Sequence, residues 1–150
     1  MNLILWRHAE AEDGADDLAR ALTPKGERQA RAMAKWLHRH LPEGTRVLVS
    51  PALRTRQTAQ ALGWPRQDAA ALAPGASADQ LLAAAGWPQA QGCVLVVGHQ
   101  PTLGEAAGRL LGTAQGLNLR KGGILWFERR LCDGAARADL RAALDAGLLD

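Results

Sequence analysis

Residues able to bind and transfer a phosphoryl group follow three apolar runs of the chain. Arg7 and His8 come directly after the run that opens the sequence, and His99 follows another. Arg54 lies just beyond the end of a third run. Guanidinium groups bind phosphate oxygens through paired N–H bonds, and an imidazole can accept a phosphoryl group covalently. If these four residues meet in space, they can therefore perform phosphoryl transfer.

The elements that must position these residues can be predicted from the apolar pattern. Short apolar runs bounded by charge are typical of strands buried on both faces of a parallel sheet. Capping residues followed by proline then predict helix starts, with Thr23 and Ser50 as caps rather than nucleophiles. The pattern predicts strands at 2–6, 46–49, 93–97 and 123–128, and helices at 24–41, 51–62, 78–85 and 102–111.

The last segment is ambiguous. Residues 136–142 alternate small or apolar with charged residues, as a half-exposed strand does, but Leu140 and Leu144 also suit a helix. Strands that alternate with helices predict one α/β domain over residues 1–150, a sandwich with a largely parallel central sheet.

The ligand crevice of an open α/β sheet lies outside the carboxyl ends of its strands, where the polar residues named above fall. Arg54 is expected in the first turn of its helix, where free backbone N–H groups already favour an anion. His8, with an ordinary pKa near 6.5, can be neutral at cellular pH and can accept a phosphoryl group. The sequence therefore predicts a phosphate site at this edge.

Composition excludes several other classes of protein. The chain is 47% hydrophobic and 22% charged, and its net charge of +3 comes from basic residues scattered in ones and twos. A nucleic-acid binder is therefore a weak alternative. Cys93 and Cys132 are far apart and lack a histidine at metal-ligand spacing, so we expect no disulfide, metal or cofactor. The apolar runs are too short for a signal peptide or a membrane span, which predicts a cytoplasmic protein, expected to be a monomer.

Four segments, in order between Met1 and about Leu111, resemble the histidine phosphatase (phosphoglycerate-mutase-like) superfamily. The closest likeness is to its short SixA-type phosphohistidine phosphatase branch. The segments are Leu5-Trp-Arg-His-Ala-Glu10, Leu22-Thr-Pro-Lys-Gly26, Val49-Ser-Pro-Ala-Leu-Arg-Thr-Arg-Gln-Thr58 and Val97-Gly-His-Gln-Pro101. The resemblance implies a three-layer sandwich fold and a metal-independent phosphatase.

The resemblance also implies residue roles. By position, His8 is the nucleophile, and Arg7, Arg54 and His99 hold the phosphoryl oxygens. Arg20 is expected to border the pocket.

The sequence departs from the family pattern at two points. Ala9 stands where most of the superfamily has glycine, so its backbone needs a negative φ to avoid strain. No carboxylate can be assigned as the general acid that many relatives use, although Glu10, Glu12 and Asp13 are candidates.

The lack of an assigned general acid favours a phosphohistidine substrate, because imidazole is a weaker base than an alkoxide and needs less help to leave. A link of about thirty residues between the second and third units predicts a crevice open to a protein surface. We therefore expect a phosphohistidine protein such as a histidine phosphotransfer domain as the partner. The alternatives are a small phosphate monoester as substrate, or a phosphate-binding module without turnover.

Several other polar residues are expected to be structural. His38 and His40 should lie in solvent, as should Arg56, which is about 200° around its helix from Arg54. Gln57 and Thr58 are expected to pack rather than touch phosphate.

Overall fold

The computed structural model describes residues 1–149 and contains a single six-stranded sheet in the order β3-β2-β4-β1-β5-β6. The strands are β1 (Asn2–Arg7), β2 (Arg46–Val49), β3 (Gln67–Asp68), β4 (Cys93–Gly98), β5 (Ile124–Cys132) and β6 (Ala135–Leu144). β1 to β4 run parallel, and β5 and β6 add an antiparallel edge. The prediction of an α/β fold with a largely parallel sheet is confirmed.

Within residues 1–149, four α-helices cover the two faces of the sheet and form the two outer layers of the sandwich. They are α1 (Pro24–His40), α2 (Leu53–Gln60), α3 (Ala78–Ala85) and α4 (Thr102–Leu111). α1 and α2 pack on one face, around Trp6 and Met33, and α3 and α4 pack on the other, around Leu5 and Leu103. β1, β2 and β4 are almost fully buried, which explains their continuous apolar sequence.

The predicted caps hold at two helices and fail at a third. Thr23 accepts a hydrogen bond from the Gly26 amide at the start of α1, and Ser77 forms a capping box at the start of α3. The predicted start of α2 is wrong, because Ala52 rather than Ser50 is its N-cap. The Ser50 amide still donates to Val97 in the neighbouring strand, so the chain is extended at this residue and turns into the helix later.

The carboxyl-terminal segment is a long hairpin. β6 pairs with β5 along its length, so the helical alternative for residues 136–142 is wrong. β5 pairs with β1 as far as Glu128, and beyond that residue its ladder partner is β6 alone within the described chain. Within residues 1–149, none of the helices has the length and apolar character needed to cross a membrane.

Candidate active site

The carboxyl ends of β1 and β4 bring the two candidate histidines together. Arg7 lies opposite Gly98 in the ladder, and the His8 amide donates to the Gly98 carbonyl. The next residue of each strand therefore leaves the sheet at the same place. The ring centroids of His8 and His99 are 5.3 Å apart.

These rings lie in a cleft of about 380 Å³. Its lining contains all five residues proposed from the sequence, together with acidic, basic and neutral neighbours. The lining residues are Arg7, His8, Ala11, Asp13, Asp17, Arg20, Arg54, Pro74, His99, Gln100 and Lys121.

His8 is held with one ring nitrogen free. Its Nδ1 lies 2.7 Å from the Ala9 carbonyl oxygen, which can only accept, so Nδ1 carries the proton and Nε2 has the lone pair. Burial lowers the pKa of His8 to about 4; the bond to Ala9 opposes this shift, and the charges of Arg54 and Arg7 add to it. The ring is therefore neutral at pH 7, as a nucleophile must be.

His99 is held from both sides. Its Nε2 is 2.7 Å from the Ser50 hydroxyl, and its Nδ1 is 3.4 Å from Nη2 of Arg54. Arg54 can only donate, so the proton of the neutral ring lies on Nε2 and is donated to Ser50. Burial lowers the pKa of His99 to about 3, and a protonated His8 ring and the charge of Arg54 lower it further.

Arg54 is 3% exposed, and its guanidinium is bound along one edge. Nη1 donates to the Asp17 carbonyl at 2.7 Å, and Nη2 donates to the Asp17 carboxylate at 3.1 Å. Its Nε is buried and has no hydrogen-bond partner in the described chain. Buried donors normally have a partner, so this N–H group is a candidate contact for an anion in the cleft.

Arg7 repeats this arrangement from the other side. Its Nη1 donates to the Leu119 carbonyl at 2.8 Å, while its buried Nε is likewise unpartnered among residues 1–149. Each of the two arginines therefore has one buried N–H group without a partner in the described chain, and both side chains line the cleft that holds the imidazoles. Guanidinium N–H groups in a cleft of this kind can bind phosphoryl oxygens.

Arg20 lies on the rim of the cleft, as the resemblance implied. Its Nε donates to the Asp17 carboxylate at 3.1 Å, and its Nη1 donates to the Glu12 carbonyl at 3.1 Å. The hydrogen bond from Arg54 is the main reason why the pKa of Asp17 is lowered, and Arg20 adds to the effect.

The three candidate acids are placed differently. Asp13 lines the cleft that holds His8. The Glu10 carboxylate accepts a bond from the Thr23 hydroxyl at 2.8 Å and lines an adjacent cleft. Glu12 lines neither of these two clefts.

Several residues that hold the site were missed in the sequence. The Thr58 hydroxyl accepts from the Ala9 amide at 3.0 Å and donates to the Arg54 carbonyl at 2.7 Å, so it does more than pack. The Gly122 amide donates to the carbonyls of Arg7 and His8. Only the spacing of Thr58, one helical turn after Arg54, offered a signal.

The departure at Ala9 is compatible with the backbone. In the described chain, Asp133 is the one non-glycine residue with positive φ, so Ala9 has a conformation open to alanine. Ala9 is fully buried against Leu22 and Ala30.

The residues expected to be structural lie away from the cleft. His40 is exposed, and Arg56, which binds Asp68, is 46% exposed. His38 is exposed as predicted, and its Nε2 donates to the Leu62 carbonyl at 2.6 Å. No three His, Cys, Asp or Glu residues within 1–149 are grouped so that they could hold a metal ion.

Comparison with known proteins identifies the family. Residues 3–75 match the model of the histidine phosphatase superfamily (branch 1). The phosphohistidine phosphatase SixA of Escherichia coli is 44% identical over 64 residues, which is 42% of this chain and 40% of that protein. A protein histidine phosphatase SixA, solved in complex with tungstate, matches with a TM-score of 0.81 and 27% identity over 100% of both chains. The chain belongs to the histidine phosphatase superfamily, in its SixA-type branch.

Two other matches show similarity of different kinds, one in sequence over most of the chain and one in fold alone. An uncharacterized protein of Picosynechococcus is 39% identical over 149 residues, covering 91% of this chain and 88% of that protein. A phosphoserine phosphatase of Entamoeba histolytica, solved with 3-phosphoglyceric acid, has a TM-score of 0.71 over 95% of both chains. It is 18% identical, so it shares the fold alone. The family match and the similarity to SixA together support a phosphatase.

Proposed function

We propose that this phosphatase hydrolyses phosphohistidine in proteins through a covalent phosphohistidine on His8. The proposal is carried by one observation. A neutral His8, whose Nε2 is free, shares a cleft with two buried arginine Nε–H groups that have no partner in the described chain.

The chemistry follows from this arrangement. The Nε2 lone pair of His8 attacks phosphorus, the bond from phosphorus to the substrate nitrogen breaks, and the leaving imidazole takes up a proton from solvent water. Water then attacks the phosphoryl group on His8, which releases inorganic phosphate and restores the free ring. The bond to the Ala9 carbonyl keeps the proton on Nδ1 through both steps.

Three side chains stabilise the charge on the transferring group. Arg7 and Arg54 direct their unpartnered Nε–H groups to its oxygens, where a low-dielectric site strengthens the interaction. An arriving phosphoryl group also favours protonation of His99 on Nδ1, because a nearby negative charge raises the pKa of an imidazole. His99 then changes from an acceptor of the Arg54 bond to a donor.

Access to the cleft supports a protein substrate. Of the residues 63–92 that link α2 to β4, Pro74 alone lines the cleft. No long insertion of the described chain therefore covers His8, and a phosphohistidine carried on a folded partner can reach it. A histidine phosphotransfer domain is a partner of this kind.

A small phosphate monoester is the second candidate substrate, and the position of Asp13 favours it. A carboxyl group in the same cleft as His8 is placed where it could protonate a leaving alkoxide. The two candidate substrates therefore differ in whether their hydrolysis requires the Asp13 carboxyl group as a general acid.

Trapping of the intermediate tests the proposed chemistry. Wild-type protein and His8→Ala are incubated with ³²P-labelled phosphohistidine protein, quenched, and assayed for acid-labile label on the enzyme. We expect label on the wild type and on a His40→Ala control, which alters an exposed histidine away from the cleft, and none on His8→Ala. Absence of label and of turnover in the wild type would support a phosphate-binding module instead.

A substrate panel tests the specificity. Rates are compared on a phosphorylated histidine phosphotransfer protein, p-nitrophenyl phosphate and sugar phosphates, with wild type and Asp13→Asn. We expect the phosphoprotein to react fastest and Asp13→Asn to leave that rate within about threefold. Faster turnover of sugar phosphates, abolished by Asp13→Asn, would establish the small-molecule alternative.

A further inference from the structure

We infer that Asp17 is a positioning residue, whose carboxylate holds Arg54 so that the opposite edge of its guanidinium faces the phosphoryl group. This inference rests on the proposed function, because it concerns the same anion site. No motif used to recognise the family contains Asp17, which lies in the acidic loop before α1.

The covalent geometry of arginine makes the assignment specific. A guanidinium has an end-on edge, formed by Nη1 and Nη2, and a side-on edge, formed by Nε and Nη2. Asp17 binds the end-on edge, with its carbonyl on Nη1 and its carboxylate on Nη2. The side-on edge is directed elsewhere, since Nη2 also reaches His99 Nδ1 and Nε has no partner.

This geometry distinguishes a carboxylate that positions Arg54 from one that occupies the anion site. A carboxylate that imitated phosphate would bind the edge that lies beside the imidazoles, and its removal would open the anion site. Asp17 instead binds the edge away from Nε, so on the edge beside His99 it leaves the Nε–H group without a partner, while Nη2 reaches His99 Nδ1. Removal of this carboxylate should therefore loosen the anion site.

The same carboxylate also connects a second arginine to the rim. Asp17 Oδ1 accepts from Arg20 while Oδ2 accepts from Arg54, so one side chain spaces two cations across the cleft. An amide has a single acceptor oxygen and would direct an N–H group at one of the two arginines. Asn at this position therefore cannot make both bonds, although it has the same shape.

Equilibrium binding of tungstate and of inorganic phosphate, measured by calorimetry at pH 7, tests the inference. Asp17→Asn should weaken tungstate binding about tenfold, the equivalent of one charge-assisted hydrogen bond, and Asp17→Ala should weaken it more. The matched control is Asp16→Asn, which removes the same charge one residue earlier from a side chain that makes no cap bond, and should change affinity less than twofold.

Two further measurements separate positioning from a general structural role. KM on the phosphoprotein should rise with the tungstate dissociation constant, while thermal unfolding of Asp17→Asn stays close to that of Asp16→Asn. In wild-type protein, ¹⁵N spectra should show the Arg54 Nη protons as separate signals, because two bonds to Asp17 hinder rotation of the guanidinium. This last measurement needs no variant and so does not depend on how a variant folds.

Each outcome has a distinct meaning. Equal or tighter tungstate binding by Asp17→Asn, or averaged Arg54 signals in the wild type, would overturn the role of Asp17 and leave the proposed function standing. Failure of the wild type to bind either anion would instead refute the phosphoryl site itself.

Discussion

Arginines at the two ends of the sheet have opposite environments. At the cleft, Arg7 and Arg54 carry a buried Nε without a partner in the described chain. At the other end, where the β5–β6 hairpin extends beyond β1, Arg130 pairs with Asp139, and nearby Arg109 of α4 pairs with Asp79. These two arginine side chains are 54% and 53% exposed.

The difference shows why the number of arginines says little about function. An exposed ion pair is screened by water and contributes little to stability. A buried guanidinium with a free N–H has already lost its water, so an arriving anion regains a hydrogen bond at no further desolvation cost on the protein side. Burial and unused donors, rather than charge, distinguish the cleft from the hairpin end.

Substitution of Arg54 is the most direct test of this difference between the two groups of arginines. Arg54→Gln should lower kcat/KM by about 10³-fold, because loss of one preorganised donor at a developing charge typically costs 10²- to 10³-fold and the charge is lost as well. Steady-state kinetics on the phosphoprotein provide the measurement. Arg130→Gln is the control and should retain wild-type kinetics; equal losses in both variants would refute the distinction between the two ends.

The pH dependence of stability tests the same contrast between buried groups in the cleft and exposed groups elsewhere. Because the folded pKa of His8 is about 4, the unfolded chain binds a proton below pH 6.5 that the folded protein excludes. This residue therefore destabilises the fold increasingly from pH 6.5 down to about 4, by about 3 kcal/mol in all. Urea unfolding from pH 7 to 4 should show a flatter decline for His8→Gln than for wild type. A decline as steep as that of wild type would show that His8 is not buried as a neutral ring; His40→Gln serves as the control.

A smaller effect is expected at the base of the cleft. Thr58→Val keeps the shape of the side chain but leaves the Ala9 amide and the Arg54 carbonyl without this partner. We expect a loss of about 2 kcal/mol in the free energy of unfolding, typical of buried groups left unsatisfied. Chemical denaturation measures the loss, and kcat/KM should fall too, because Thr58 holds the backbone of Ala9. An unchanged stability would mean that water replaces both bonds.

The smallest effect is expected among the exposed pairs. Arg109→Gln breaks the ion pair with Asp79 and should change the free energy of unfolding by about 0.5 kcal/mol or less. Denaturation with and without 1 M salt provides the test, since an exposed pair is screened by salt. A loss above about 2 kcal/mol would contradict the distinction, because Arg109 would then contribute as much to stability as a buried group does.

Local sequence signals were sufficient for most of the elements. Continuous apolar runs identified β1, β2 and β4, because strands buried on both faces leave little choice of residue. Proline and capping signals located α1. The start of α2 was missed because the Ser50 amide pairs with Val97 of the neighbouring strand, a long-range contact that no local pattern records.

The candidate site was predictable to the same extent. His8, Arg7, Arg54, Arg20 and His99 fall at strand ends or in recognisable motifs, and they share one cleft. Their supports could not be predicted, because they are long-range contacts of backbone groups, which every residue type has. Gly26 illustrates this, since a side chain on it would collide with the Glu10 carbonyl across the fold.

The segment 119–122 has a consequence for the way members of this branch can diverge. Its backbone carbonyl at Leu119 holds Arg7, and its amide at Gly122 ties down the carbonyls of Arg7 and His8, although it lies beyond all four recognition motifs. Two chains with identical motifs can therefore differ in their affinity for the anion if this segment differs in length or rigidity. Substrate preference can therefore change through substitutions in a segment that a comparison of the motifs does not include.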